Sequence, residues 1–387
     1  MWRHIASNAL TFFIVGLFLI AGVVSLSFKQ YTESGPLLQA ICLQVDSGSN
    51  MRLVSQNLAD EGAIKSATIM NIGADYAQKS ADLKAGSFLV HKNASMEQIV
   101  HIVTRGGRNT CGTEVIYRVG VTRTEILVRE LNPATNRFLE ITAFNPAQDN
   151  IPNYYTAVKE EPDTRYLVAM AEGVTSWQLL NSLLAFDLFE ADVTSPPLEG
   201  SLAPDSYEFV PGATISSILD RMASAQSQIL AEAWAGRADN VPLDSPQEAL
   251  VLASIVEKET GKSDERRQVA SVFVNRLNLG MKLQTDPTVI YGITLGEGKL
   301  GRGLRKSELR RETPWNTYVI PGLPPTPIAN PGRASIEAAL NPDSSPFIFF
   351  VADGTGGHAF ATTLTEHNRN VQAWRSIEAR QVNKKDE

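Results

Sequence analysis

The chain has 387 residues, 43% of them hydrophobic and 20% charged, a globular composition with room for two or three domains. Its net charge of −7 argues against a nucleic-acid partner, since such binders are more often basic; the basic run at 302–311 is short and broken by Glu308, as a solvated face would be. Two cysteines are too few for a disulfide scaffold, and five histidines without an HExxH pattern give no sign of zinc or another cofactor.

Residues 9–26, ALTFFIVGLFLIAGVVSL, carry no charge, and their length is at the lower end for a membrane-spanning helix. Leu26, Phe28 and Gln30 leave no small-x-small cleavage pattern, so the segment predicts an uncleaved anchor rather than a signal peptide. The basic flank at Arg3 places the start in the cytoplasm and everything after Lys29 outside it. A short linker at 30–40 holds Gly35 and Pro36. Residues 41–45 then read as a strand. SGSNMRLVSQNLADEGAI reads as a turn and an amphipathic helix, with Met51, Leu53, Val54 and Leu58 on its apolar side. Residues 87–90 read as a strand. ASMEQIVHIVTRGG reads as a helix with Ser95 as N-cap, Gln98 at the capping-box position and Gly106 as terminator. The order strand, helix, helix, strand, helix is that of a small α+β module. Cys42 and Cys111 either pair outside the cytoplasm or remain two buried thiols, and the sequence leaves both open.

Residues 111–163 are the least regular. TEVIYRV predicts a strand and TRTEILVRELN a helix, and 146–162 is polar and loop-like, so the segment reads as an irregular connector. A strand follows at 165–171. AEGVTSWQLLNSLLAF is an amphipathic helix capped by Thr175, PLEGSLAPDSYEFVPG is rich in turn residues, and 215–235 is a long helix.

SPQEALVLASIVEKETG, residues 245–261, is the most informative stretch. Ser245 is its N-cap, Pro246 its first residue, Glu248 the capping-box partner and Gly261 the stop. Almost every side chain before Glu257 is apolar or small, so little of this helix can face water. A carboxylate at its end meets desolvation and the negative end of the helix dipole. Both raise a carboxyl pKa, as a general acid working near neutral pH requires. Glu257 and Glu259 point about 200° apart on a helix, so they cannot both serve one cleft, and the helix alone does not choose between them. A helix from Ser263 to Gly280 and a third from Asp286 to Gly292 follow. Residues 316–332 hold five prolines, which makes a stiff loop. A strand at 347–352, a glycine turn, a returning strand at 358–362 and a helix from Thr365 close the chain.

Gln284, Thr285 and Asp286 sit in a turn, with Asp286 readable as a plain N-cap. Asn316 and Tyr318 suit sugar hydroxyl and acetamido groups, although an Asn before a loop is usually a turn former. His358 follows a GTGG run that lacks the Lys-Ser/Thr of a phosphate loop.

LASIVEKET, VASVFVNRLNLGMKLQTDPTVIYG, NTYVIPGLPPTPIANPG and FVADGTGGHAF, in this order and together with EGSLAPDSY, resemble the membrane-anchored endolytic murein transglycosylases of the YceG-like family. The match runs from about Arg165 to Arg375. Residues 41–107 are similar, more weakly, to the family's LysM-like module. The resemblance implies an α+β chain: an N-terminal membrane anchor at 1–29, a LysM-like module at 30–110, a connector at 111–164 and a mixed α/β catalytic domain at 165–387 with its core at 245–375. It implies non-hydrolytic cleavage of the MurNAc-β-1,4-GlcNAc bond of nascent peptidoglycan, leaving 1,6-anhydroMurNAc ends and terminating strand elongation. The sugar's own 6-hydroxyl attacks, so one carboxylate suffices, first protonating the leaving oxygen and then taking the hydroxyl proton. Position in the motif makes Glu259 that acid, with Glu257, Gln284, Thr285, Asp286, Asn316, Tyr318 and His358 as residues near the substrate. No metal or cofactor is implied. The implied setting is the inner membrane with the catalytic domain in the periplasm, and the implied partners are glycan strands and cell-wall synthases. Trp315 departs from the family's usual Tyr, and Ser201 and Ala203 stand where aromatics are frequent. Two other readings compete: a hydrolase using Glu259 and Asp286, whose carboxyl groups would lie about 5–9 Å apart, and a tethered glycan-binding scaffold without activity.

Overall fold

The computed structural model describes residues 2–105, 110–159, 161 and 164–383, those at 2–10 and 381–383 by backbone alone. Gly106, the expected helix stop, and Pro162 and Asp163, at the end of the expected connector, lie outside the described residues. The fold is mixed α+β, and the chain divides into two compact units, 1–115 with 127–165, and 116–126 with 166–387.

The first unit opens with α1 (Trp2–Thr32). Its stretch Thr11–Thr32 has a mean hydropathy of 2.4, and it is the one helix among the described residues long and apolar enough to cross a membrane. The expected linker from Gln30 begins as the last turn of this helix. Tyr31 there is buried, and its ring occupies the space that a β-carbon on Gly73 would need. β1 (Ile41–Val45), α2 (Met51–Asp60), α3 (Ala67–Tyr76), β2 (Gly86–Val90) and α4 (Met96–Thr104) follow in the expected order. Caps start the helices: Asn50 accepts from Leu53 N at 3.0 Å, and Ser95 and Gln98 form the reciprocal box. β1 and β2 are antiparallel, Ile41 opposite Val90, and place Leu43, Val45 and Phe88 against Val54, Leu58 and Ile99. Cys42 and Cys111 form a disulfide with Cα atoms 5.6 Å apart, which settles the alternative left open above.

The expected helix over TRTEILVRELN is instead a strand. β3 (Thr113–Val119), β4 (Thr124–Asn132) and β5 (Arg137–Phe144) are followed by the short α5 (Asn153–Val158) inside the segment expected to be loop. In the first unit the hydrogen-bonded order is β5-β4-β3. Ile126, Leu127 and Val128 are all buried, a continuous apolar run that short windows cannot assign to helix or strand. The charges around it pair across strands rather than along a helix: Arg129 donates to Glu114 at 2.7 Å and lies over Phe138 at 4.6 Å.

The second unit takes 116–126, the ends of β3 and β4. It adds β6 (Arg165–Met170), α6 (Ser176–Leu184), β7 (Phe189–Glu190), β8 (Ser206–Phe209), β9 (Ala213–Thr214), α7 (Ile215–Ala235), α8 (Pro246–Glu259), α9 (Arg266–Asn278), α10 (Asp286–Thr294), α11 (Arg333–Leu340), β10 (Phe349–Ala352), β11 (His358–Ala361) and α12 (Leu364–Asn383). β6 and β8 are antiparallel, Tyr166 opposite Phe209. α8 is the central helix. Every residue from Ala249 to Val256 is buried, with α7, α9, α10 and α11 packed round it. Burying each large side chain there contributes on the order of 1.5–3 kcal/mol, and Leu252→Ala would cost about 2–5 kcal/mol.

Ser245 caps α8 as expected, accepting from Glu248 N at 3.2 Å. The Glu248 carboxylate reaches Asp244 N at 2.7 Å, so the capping box is offset by one residue. α11 escaped the sequence reading because it is only eight residues long; Ile336, Ala338, Ala339 and Leu340, buried with α8, hold it. The proline-rich loop before it is pinned as well as stiff. Ser254 Oγ accepts from Ile328 N at 3.0 Å, and Asn330 bridges Leu202 N and Val174 O at 3.0 Å each.

Candidate active site

α8 delivers Glu259 as its last helical residue, and Thr260 then turns the chain into an extended conformation. Glu259 is half-buried and lines a cavity of about 350 Å³. Thr260 and Gly261 continue that wall. The β10–β11 hairpin, including Gly354, Gly357 and His358, forms another, and Trp374 of α12 completes the lining. All of these residues belong to the second unit.

The Glu259 carboxyl is held above its ordinary range. Burial is the main cause, and the negative charge of Asp286 adds to it. Three groups act the other way: the Thr285 hydroxyl, which donates to Glu259 Oε1, and the nearby His358 and Arg276. An acid so placed keeps its proton to a higher pH than an ordinary carboxyl and is still a tolerable carboxylate once the proton has gone.

The 284–286 turn meets Glu259 through Thr285. Thr285 is buried at the N-cap position of α10, yet makes no side-chain cap bond; its hydroxyl goes to Glu259 instead. Its backbone N donates to Thr317 Oγ1 at 3.1 Å. Asp286 is exposed and accepts from the Tyr318 hydroxyl at 2.7 Å. Burial and that bond push the Tyr318 phenol up. Gln284 is exposed, takes the left-handed backbone at φ 49°, and donates its N to Thr317 O at 3.2 Å. On the hairpin side, His358 Nδ1 lies 2.9 Å from Glu265 Oε2, both side chains about 15% exposed.

Two residues expected near a substrate are engaged elsewhere. Glu257 points away from Glu259, as the helix geometry required, and its Oε2 accepts from Gly332 N at 3.1 Å; it anchors the end of the proline-rich loop. Asn316 is fully buried. Its Nδ2 donates to the carbonyls of Arg311 at 2.7 Å, Leu309 at 3.2 Å and Glu308 at 3.3 Å, and its Oδ1 accepts from Tyr318 N at 3.0 Å. It shapes the loop that carries Tyr318 and has no amide group left for a ligand.

The sequence reading passed over Arg276, Glu265 and Trp374. Arg276 is a buried cation whose Nε donates to Ile348 O at 2.7 Å and whose charge reaches Glu259. An Arg inside the apolar run VFVNRLN was the available signal. Glu265 meets His358, and Trp374 the cavity, only by long-range folding, and no local pattern marks them.

A model of the YceG-like family matches residues 43–373. A Bacillus subtilis protein named endolytic murein transglycosylase is 30% identical over 333 residues, covering 84% of this chain and 82% of that protein. A Streptococcus pneumoniae protein of the same name is 29% identical over 344 residues, 86% of this chain, which spans only 58% of that relative's length. The crystal structure of a yceG-like protein from Listeria monocytogenes aligns with a TM-score of 0.46 at 25% identity, covering 86% of this chain and 99% of that one.

Proposed function

The chain belongs to the YceG-like family, and on that premise we propose that it is an endolytic lytic transglycosylase of peptidoglycan. The bond cut is MurNAc-β-1,4-GlcNAc, the product end is 1,6-anhydroMurNAc, and the consequence is termination of strand elongation. Support comes from relatives of that name and above all from one observation: a single carboxyl, Glu259, raised by burial, on the wall of a cavity.

Glu259 protonates the leaving oxygen as the glycosidic C–O bond breaks. The 6-hydroxyl of the same muramyl residue bonds to the anomeric carbon, and its proton passes to the Glu259 carboxylate, which the Thr285 hydroxyl steadies. The proton account closes without water. An intramolecular nucleophile removes the need for a second carboxylate to activate one. The hydrolase reading is weaker, because Asp286, its required partner, is committed to Tyr318 and lies outside the cavity lining.

The proposed layout keeps an anchor at 1–29, a LysM-like module at 30–110, a connector at 111–164 and a catalytic domain at 165–387 with its core at 245–375. α1 spans the inner membrane once and the remainder lies in the periplasm, near cell-wall synthases. The apolar α1 and the disulfide, a bond of oxidising compartments, favour that placement. Mass spectrometry of glycan digests from wild type and Glu259→Gln tests the reaction. Anhydro ends from wild type alone are expected; reducing ends, or unchanged cleavage by the variant, would refute it.

A further inference from the structure

The cavity beside Glu259 has walls of different character. Its acid wall is the end of α8. Its hairpin wall is nearly free of side chains at 354, 356 and 357, where glycines stand. The turn is nonetheless held in shape. Asp353 Oδ1 accepts from Thr355 N at 2.7 Å and Gly357 N at 3.2 Å. Gly354 and Gly356 adopt φ of 86° and 88°, where other residues are strained. A β-carbon on Gly354 would come within 2.8 Å of Ile377 and 3.5 Å of the Trp374 ring, so the turn backbone lies against the indole.

Trp374 therefore reaches the cavity past a rigid turn with no side chains at those glycines to cover it. The docking of α12 has other contacts, including the Phe349–His367 stack at 5.1 Å between centroids and Ile377 on Gly354. A half-buried indole beside polar groups such as Glu259, Thr260 and His358 matches a ligand with one apolar face and a polar rim. A pyranose is such a ligand: its axial C–H bonds form a face that an aromatic ring accepts, and its hydroxyl and acetamido groups project from the edge.

We propose that Trp374 is the platform of a sugar subsite, taking the C–H face of an N-acetylhexosamine ring next to the bond that Glu259 serves. The subsite rests on the glycan reading of Glu259 given above. It makes Trp374 a binding residue for the ring and the glycine turn the element that keeps its indole uncovered.

The test uses the full chain carrying Glu259→Gln, titrated with a β-1,4-linked N-acetylglucosamine oligomer and followed by tryptophan fluorescence and calorimetry. Adding Trp374→Ala should weaken binding about tenfold, while Trp374→Phe should stay within about threefold of the parent. Trp374→Leu, which restores apolar bulk without a flat π face, should bind as weakly as the alanine variant. In the Glu259 background, Trp374→Ala should raise KM more than it lowers kcat. Binding unchanged in Trp374→Ala, or rescued by Leu as well as by Phe, would overturn the proposal; if the alanine variant does not fold, the Phe and Leu variants decide. Oligomer binding through Trp374 with no anhydro ends from wild type would remove the proposed reaction and leave the subsite. Anhydro ends with normal binding by the Trp374 variants would do the reverse.

Discussion

Replacing Asn316 by Ala separates a loop-building role from a ligand-binding one. The amide has two N–H groups shared among three carbonyls and one oxygen accepting from Tyr318 N, the equivalent of about three hydrogen bonds. At about 0.5–1.5 kcal/mol net for each, the loss is about 3 kcal/mol. For a unit of this size that lowers the melting midpoint by roughly 6–12 °C. Asn316→Asp is the sharper variant: it keeps the acceptor for Tyr318 N but turns a carboxylate toward three carbonyls, so it should destabilise at least as much. Calorimetric or circular-dichroism melts read the effect, with glycan KM measured below the transition. A normal midpoint in Asn316→Ala together with a raised KM would refute the argument and return Asn316 to the substrate.

Three further outcomes are expected. Because the Glu259 pKa is raised in the folded state, its contribution to stability is present below the ordinary value of 4.5 and lost as pH rises through the raised one; Glu259→Gln should therefore melt higher than wild type at neutral pH, with a gain that fades below 4.5, and a gain that grew toward acid would contradict the burial account. Thr285→Val removes a hydroxyl that favours the charged carboxylate, so the alkaline limb of the kcat profile should move to higher pH, and a downward move would exclude that bond as the cause. Cys42→Ser opens a link between residues 69 apart in sequence and should cost the first unit about 4 kcal/mol, read as a lower denaturant midpoint that reductant no longer affects.

Elements with local signals were legible in the sequence. α7 and α8 carry long helical patterns with Thr or Ser at the N-cap, and β1 is a short apolar run bounded by turn residues. β4 was misread because Ile126, Leu127 and Val128 fit either period; what decides them is the pairing of Arg129 with Glu114, a contact between strands. The candidate site divides the same way. The burial that raises the Glu259 pKa could be argued from LASIVE. The choice over Glu257 could not, since both stand at the same helix end and differ only in what they face, Thr285 for one and Gly332 N for the other. Asn316 is the opposite case: sugar contact and turn former were both open in the sequence, and only the folded chain shows its own carbonyls round the amide.

Tyr31 has a bearing on where the first unit can work. It lies three residues beyond Phe28, the last uncharged residue before Lys29, about 4.5 Å further along the axis at 1.5 Å per residue. It is also already seated in the core of the unit against Gly73. Under the proposed span there is no swivel between mast and deck: the unit begins at the lipid headgroups and tilts or turns only as α1 does. Proximity to the bilayer then belongs to the fold of this unit itself, fixed by where one ring is seated rather than by the length of a tether.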